Sequence, residues 1–542
     1  MAMIGRSLSC LTGRLPNGEN RWVSGLVLLL CLLYFVDPNP RLDFSVFDTR
    51  DAESYLALSQ SLVAGRGYTR SLDPEYYIPH TTWPPGLPIL LMPVALLSGV
   101  PVDLLHVKLG MIAYGVVGII LAYLYARRLA RSPLTRLCVP MFLGLNPYYW
   151  QFSRMTDTEM PTIVWALVAL LLADRLWSKE SVRYSAAIIS GAICGFGMLI
   201  RGSLFGALFL PLVYVLARRR EPAEFSRVAT RYLCYAAAFL LPFALWLVRN
   251  SQIDKHGLGL DGINQIAMLL RSMPVDPTSP FRSISQILSG MFASVTGSIL
   301  YQAPKSLFPG LWMDGFWDRV GTLSAPLALA ITAMIVALSC ATTRNLPIIV
   351  MYASMALLNL FYAAGGMARL WVPVTSLIAV SLPIAAETIP IFHRRAVAVF
   401  VAGATLAAMS INLVFYAIDH DAHPYHDRDY AALAEIFTDV RDHYALGGNV
   451  LTPNPQAFGL YTGLRAPIPM AGRGVDPVYR YVIVPTAEWK AQRLHGVLVT
   501  RNEVWSVIEL TPPLRVSEIQ EQYDCTYSTI PAFAVLSNCL IP

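Results

Sequence analysis

Three groups of charged residues could move protons or hold a phosphate. The first lies in Phe47-Asp48-Thr49-Arg50-Asp51-Ala52-Glu53-Ser54-Tyr55. It leads into an apolar periodicity of Tyr55, Leu58, Leu62 and Val63 that closes at Gly65-Arg66-Gly67-Tyr68. That spacing predicts a helix with Asp51 and Glu53 in its first turn. Acidic side chains suit the positive end of a helix dipole, which is the structural reason for them; a base that takes a proton from an acceptor is the chemical one. The second group is Arg154-Met155-Thr156-Asp157-Thr158-Glu159-Met160-Pro161, two carboxylates in a short turn between apolar stretches. Asp157 can cap the helix that follows. Carboxylates at a membrane boundary are costly to desolvate, however, and usually have a partner or a job. The third group is single arginines at the ends of apolar runs: Arg201 after Ile200, Arg249 after Val248, and Arg369 in Gly365-Gly366-Met367-Ala368-Arg369-Leu370-Trp371. Each can snorkel toward lipid headgroups or grip an anionic phosphate.

Together the groups suit group transfer from a lipid phosphate. Carboxylates deprotonate an acceptor hydroxyl or amine, and cations hold the phosphate as it leaves. A multi-span transporter or lipid flippase is the main rival. It would place polar or broken-helix sites near the bilayer midplane and show internal repeats. No clear repeat is visible, and the uncharged windows hold no acidic residue well inside them. A third reading, an assembly subunit whose tail does the binding, predicts that Asp51 is dispensable. Asp421, His423, His426 and Asp427 cluster without the spacing of a zinc site. Gly257, Gly259 and Gly262 follow no strand and make no dinucleotide fingerprint.

The elements that must position these residues are membrane helices. The 542 residues are 55% hydrophobic and 14% charged, with a mean hydropathy of +0.50; a soluble domain carries about 25% charged residues. Uncharged windows run over 22–36, 109–126, 137–152, 160–173, 184–200, 202–217, 232–248, 320–343, 345–368, 370–386 and 396–418, which predicts eleven spans. Helices alone satisfy the backbone in lipid. Alternate connections carry Arg127, Arg128, Arg131 and Arg136, then Arg175, Lys179 and Arg183, then Arg218, Arg219, Arg220, Arg227 and Arg231, then Arg344, then Arg394 and Arg395. The positive-inside rule makes that side cytoplasmic. It also accounts for the net charge of +6 without nucleic acid.

Expected domains are therefore a cytoplasmic N-terminus (1–22), a membrane domain (23–418) with outer loops 37–108 and 249–319, and an extracytoplasmic tail (419–542). Trp83-Pro84-Pro85-Gly86 opens an apolar run, 87–97, too short to cross, which predicts a helix at the outer interface. The tail reads as a small α/β domain, with a helix over 430–444 and strands over 449–452, 481–484, 496–500 and 503–510. Cys525 and Cys539 could pair there if the compartment is oxidising; the other cysteines lie in or near apolar stretches, as small hydrophobes do.

Asp51-Ala52-Glu53-Ser54-Tyr55, Gly65-Arg66-Gly67-Tyr68 and Trp83-Pro84-Pro85-Gly86-Leu87-Pro88 resemble the first outer loop of bacterial family-39-like glycosyltransferases. That group includes the protein mannosyltransferases, the aminoarabinose transferases acting on lipid A and the galacturonosyl transferases of the lipopolysaccharide core. Thr156-Asp157 before a span, and Arg369 before a span containing Pro373, are similar in order and spacing. The resemblance covers about residues 23–420. It implies a GT-C fold, all-α and polytopic, with a C-terminal α/β domain, in the bacterial inner membrane with the N-terminus inside and the C-terminus outside. It implies a polyprenyl-phosphate sugar donor, an envelope lipid, glycan or protein acceptor, and inversion at the anomeric carbon. By resemblance Asp51 is the base, with Asp48 a rival. Asp157 would position the acceptor or a divalent cation; no cofactor is otherwise implied. Arg201 and Arg369 would bind the donor phosphate, with Glu53, Tyr55, His80 and Glu159 lining the substrate site. The chain departs from the pattern in two places: Ala52 separates Asp51 from Glu53, and Trp83 precedes the Pro-Pro pair where several members carry Lys or His, leaving His80 three residues upstream.

Overall fold

The computed structural model describes residues 19–36, 51–72, 79–178, 182–216, 222–253, 280–297, 342–361, 368–387, 428–444, 446–452, 455–466, 478–486 and 496–515, with a few isolated positions between them. Helices fill the described chain up to residue 387: α1 (Glu19–Leu33), α2 (Asp51–Val63), α3 (Gly86–Ser98), α4 (Leu104–Leu129), α5 (Pro133–Gly144), α6 (Pro147–Phe152), α7 (Glu159–Trp177) and α8 (Tyr184–Ile200). A 3-10 stretch (Gly202–Phe209) runs into α9 (Leu210–Leu216), and α10 (Pro222–Ser251), α11 (Ile284–Gly297), α12 (Leu346–Phe361) and α13 (Ala368–Ala386) follow. Leu105–Leu129, Glu159–Trp177 and Ser226–Ser251 are long and apolar enough to cross a membrane, and α1, α3, α8, α13 and the 202–216 segment contribute shorter apolar helices.

Three departures from the sequence expectation have local causes. The 137–152 window is broken, because Asn146 Oδ1 accepts the Tyr149 amide at 3.1 Å and starts α6 anew. Pro147 at its first position has no N–H to lose. The 202–217 window opens as a tight 3-10 helix. The connection 249–319 contains α11. The windows 320–343 and 396–418, Asp421 to Asp427, and both C-terminal cysteines lie almost wholly outside the described residues.

Helix α8 packs on α10 through glycines four residues apart. A Cβ on Gly195 would lie 2.1 Å from the Phe239 carbonyl oxygen, and one on Gly191 2.3 Å from that of Tyr235. Such spacing lets two membrane helices approach backbone to backbone. Gly195→Leu is expected to force them apart and lower the thermal midpoint of the detergent-solubilised protein, at a cost of about 1–3 kcal/mol or more. An unchanged midpoint would show that the contact is dispensable.

The bundle has two chemically distinct ends. At one, the Glu387 carboxylate after α13 accepts the amides of Arg131 at 2.8 Å and Ser132 at 2.5 Å. Arg128 pairs with Asp174 at 2.5 Å, and Arg344 Nη1 donates to the Leu129 carbonyl at 3.4 Å. At the other end lie Asp103 ahead of α4, the turn 153–158, Arg201, the last turn of α10 and the junction between α12 and α13, where Asn359 Nδ2 holds the Leu370 carbonyl at 2.6 Å.

Beyond the bundle come α14 (Arg428–His443), β1 (Val450–Leu451), α15 (Pro455–Thr462), β2 (Val478–Pro485), β3 (Gly496–Arg501) and β4 (Trp505–Arg515). The strands form one sheet in the order β1-β2-β4-β3. β1 is parallel to β2 through Val450↔Tyr481, and the other pairs are antiparallel. Phe437, Phe458 and Tyr461 from these helices share one buried cluster with Ala52 and Leu56 of α2 and with Val102 and Val107. The Val102 amide donates to the Leu460 carbonyl at 2.8 Å. Residues 52–61 are all buried, because the tail covers the face opposite Tyr55 and Leu58.

Candidate functional site

The site is assembled around the start of α3. A Cβ on Gly86 would lie 2.3 Å from the Leu199 carbonyl carbon and 2.5 Å from the Ile200 nitrogen, so the start of α3 after Trp83-Pro84-Pro85 sits directly against the end of α8. Arg201 is the next residue after Ile200, in an extended conformation that turns the chain into the 3-10 helix. Its Nη1 donates to Glu159 Oε1 at 2.9 Å and lies 3.4 Å from Thr158 Oγ1. Glu159 is 1% exposed and Arg201 14%. Asp157, also buried, accepts the Thr158 amide at 2.7 Å. The head of α7 and the tail of α8 therefore bring together Asp157, Glu159 and Arg201.

The Arg201–Glu159 pair carries a directional expectation. Removing one partner of a buried pair strands the other charge, typically at about 3–5 kcal/mol. Arg201→Met should lower stability in chemical denaturation by that order, and adding Glu159→Gln to it should recover much of the loss. Equal stability of the single and double variants would contradict the coupling.

The first loop supplies the other half. Tyr55 of α2 meets Trp83 with ring centroids 6.0 Å apart. His80, fully buried, stacks on Trp83 at 4.7 Å. Its Nε2 accepts the Trp83 amide at 2.9 Å, which assigns that nitrogen as the unprotonated one. Tyr68 donates to the Trp83 carbonyl at 2.8 Å. Burial pushes its phenol well above the ordinary pKa, with Arg249 acting the other way, so it remains a donor. Two consecutive residues of α10 then fix the turn. Arg249 Nη1 donates to the His80 carbonyl at 2.6 Å, and Asn250 Nδ2 to the Thr81 carbonyl at 3.0 Å. Glu53 is buried on α2 beside Ser54, whose hydroxyl receives Arg70 Nη1 at 3.2 Å.

Asp51 heads α2 and Arg369 lies in the first turn of α13. The side chains of both lie outside the described residues. Their backbone positions are at the same end of the bundle as Asp157 and Arg201.

Several polar residues of this end were given no individual role from the sequence. Arg154 is held by the carbonyls of Trp150 and Tyr34, each at 3.0 Å, with its guanidinium 3.9 Å from the Trp150 ring. Arg70 sits 5.1 Å over Trp83. Lys108 is buried within α4. For Lys108 a signal was present: a lone lysine on the apolar stripe of Met111, Ile112 and Gly115. Among the described residues no cluster of three or more His, Cys, Asp or Glu side chains suits a metal ion.

Residues 83–248 match the family profile described as dolichyl-phosphate-mannose-protein mannosyltransferase. Compared by sequence with curated proteins, the chain matches none. Among solved structures it resembles ArnT from Cupriavidus metallidurans bound to undecaprenyl phosphate, with a TM-score of 0.55 and 14% identity over 90% of this chain and 97% of that one. The apo state of the same ArnT gives 0.53 and 12% over the same shares. The Pmt1–Pmt2 protein O-mannosyltransferase complex of S. cerevisiae matches over 45% of this chain and 34% of that one, at 16% identity with a TM-score of 0.33. The fold is that of ArnT, and the family resemblance read from the first loop is met by the profile match that begins at Trp83.

Proposed function

We propose, from a membrane chain whose centre matches the mannosyltransferase profile and whose fold is that of ArnT, that this protein moves a sugar from a polyprenyl phosphate to an envelope acceptor. The observation that carries the reading is the convergence at one end of the bundle: Asp157, Glu159 and Arg201 at the α7–α8 junction abut the His80–Gly86 segment of the first loop. ArnT was captured with undecaprenyl phosphate, which supports a donor of that class here. In this reading Asp51 takes the proton from the acceptor, and the acceptor oxygen or nitrogen attacks the anomeric carbon. The bond from that carbon to the phosphate oxygen breaks, and the polyprenyl phosphate leaves with inversion at the sugar. Arg201, fixed by its Nη1 bond to Glu159, would grip the donor phosphate, with Arg369 as the second cation. Asp157 orients the acceptor or a divalent cation, and Tyr55, Glu53 and His80 line the sugar side.

The end bearing the site faces away from the cytoplasm in this reading, with the N-terminus inside and the tail (419–542) outside. The support is the arginine set Arg127, Arg128, Arg131, Arg136, Arg175, Arg183 and Arg344 at the opposite end. The test is turnover by the purified protein in nanodiscs with a panel of polyprenyl-phosphate sugars, read as release of polyprenyl phosphate. Envelope glycans of a deletion strain, analysed by mass spectrometry, then identify the acceptor. A folded protein that releases polyprenyl phosphate from none of the panel, in a strain whose envelope glycans are unchanged, would refute the reading.

A further inference from the structure

We propose that Arg249, in the last turn of α10, binds the phosphate of the lipid-linked donor. The inference rests on the transferase reading for the identity of the lipid; the chemistry it names is a lipid-borne phosphate. An ionisable residue at a membrane boundary usually has a partner or a job, and Arg249 is half-buried there.

Its place follows from the glycine seam between α8 and α10. Gly191 faces the Tyr235 carbonyl and Gly195 that of Phe239, so the two helices run parallel with a constant offset. Extending that offset puts Arg201 level with Leu245. Arg249 then lies one turn beyond Arg201, about 6 Å further toward the end that bears the site. The first loop bridges the two arginines. Arg249 Nη1 donates to the His80 carbonyl at 2.6 Å, and further along the same segment Gly86 abuts Leu199 and Ile200, next to Arg201.

Charge separates the two. Arg201 pairs with the buried Glu159 at 2.9 Å, and together they are neutral. Arg249 meets oxygens that carry no net charge, the His80 carbonyl and Asn250 Oδ1. It also meets two aromatic faces, Trp246 at 4.9 Å and Tyr68 at 5.4 Å. The titratable groups that act on it are the phenols of Tyr68 and Tyr77, and among the described residues no carboxylate forms an ion pair with it. Carbonyl dipoles and ring faces attract a guanidinium, yet they leave its unit of charge uncancelled. Tyr77 is 56% exposed, so this charge stands close to the surface of the site end. A guanidinium fixed in this way, beside the segment that carries Trp83 and Gly86, suits a phosphate diester, which brings the missing negative charge.

The experiment measures Kd for polyprenyl phosphate and for polyprenol in phosphatidylcholine nanodiscs, with wild type, Arg249→Gln and Asn250→Leu. Polyprenol has the same chain without the phosphate, so it reports a disturbed loop. Arg249→Gln is expected to weaken polyprenyl phosphate about 10- to 100-fold, the share of a charge-assisted hydrogen bond, and to leave polyprenol near wild type. Asn250→Leu breaks the bond to the Thr81 carbonyl without removing a charge, and should affect both lipids alike. Equal losses for the two lipids in Arg249→Gln, or no loss for polyprenyl phosphate, would overturn the proposal. A measurement on wild type needs no variant to fold: polyprenyl phosphate, and not polyprenol, should protect Arg249 from phenylglyoxal, read by peptide mass spectrometry. Equal modification with both lipids would also overturn it. A further arm adds phosphatidylglycerol to the nanodiscs. If Arg249→Gln retains less phosphatidylglycerol while its affinity for polyprenyl phosphate is unchanged, the residue anchors headgroups and the proposal fails. Because binding needs no turnover, a phosphate preference lost in Arg249→Gln, in a protein that transfers no sugar from any donor, would refute the transferase reading and leave the lipid-phosphate site standing.

Discussion

Asp51→Asn is expected to lower kcat by about 10²–10⁴-fold, the usual contribution of a positioned general base, while donor binding and thermal stability stay near wild type. Asn keeps the shape of Asp but cannot accept the acceptor's proton. The fold should tolerate the change, because a first-turn acid contributes only about 0.3–1 kcal/mol through the helix dipole. The rest of α2 is locked by the tail cluster at Ala52 and Leu56 and by the Tyr55–Trp83 contact. A structural role for Asp51 predicts the reverse, a lowered melting temperature with a turnover number little changed. Single-turnover rates with saturating donor, beside a melting curve, separate the two. Activity within a few-fold of wild type would remove Asp51 from the mechanism, and Asp48→Asn would then be the next variant.

Gly86→Ala should be the most damaging of the conservative changes. The added methyl would lie 2.3 Å from the Leu199 carbonyl carbon, 2.4 Å from its oxygen and 2.5 Å from the Ile200 nitrogen. Those are main-chain atoms, so no rotamer relieves the clash and either α3 or the end of α8 must shift by about an ångström. Overpacking of this kind costs about 1–3 kcal/mol, and a misplacement of that size can cost about 10²-fold in rate. The residue displaced with Leu199 and Ile200 is Arg201, so its grip on Glu159 at 2.9 Å should loosen at the same time. The measurements are kcat/KM and the thermal midpoint. A variant with full activity and an unshifted midpoint would show that the close approach does not position the site.

What the sequence disclosed and what it concealed have separate causes. The helix starting at Asp51 was legible because its apolar spacing and acidic first turn are local signals. Its burial on the opposite face was not, since Ala52 and Leu56 are covered by Phe437, Phe458 and Tyr461 from almost four hundred residues away. The break at Asn146-Pro147 was visible as a cap followed by a helix-starting proline, but counting uncharged windows ignores such punctuation. Helix α11 lacks charge but interleaves Ser and Gly through its apolar residues, so it read as connecting chain. The Arg201–Glu159 pair joins residues 42 apart; it becomes visible only once α7 and α8 are known to be antiparallel neighbours. Arg249 was noticed as a cation, yet its bonds to the His80 carbonyl and to Asn250 make it a clamp on the loop.

The seat of the tail on α2 also constrains how the chain threads the bilayer. Two segments that touch directly must be in the same compartment, so the polypeptide between them has to cross an even number of times. A homologue that gains or loses one crossing would strand the sheet in the opposite compartment and strip α2 of its cover. Crossings in this architecture should therefore be acquired or discarded only in pairs.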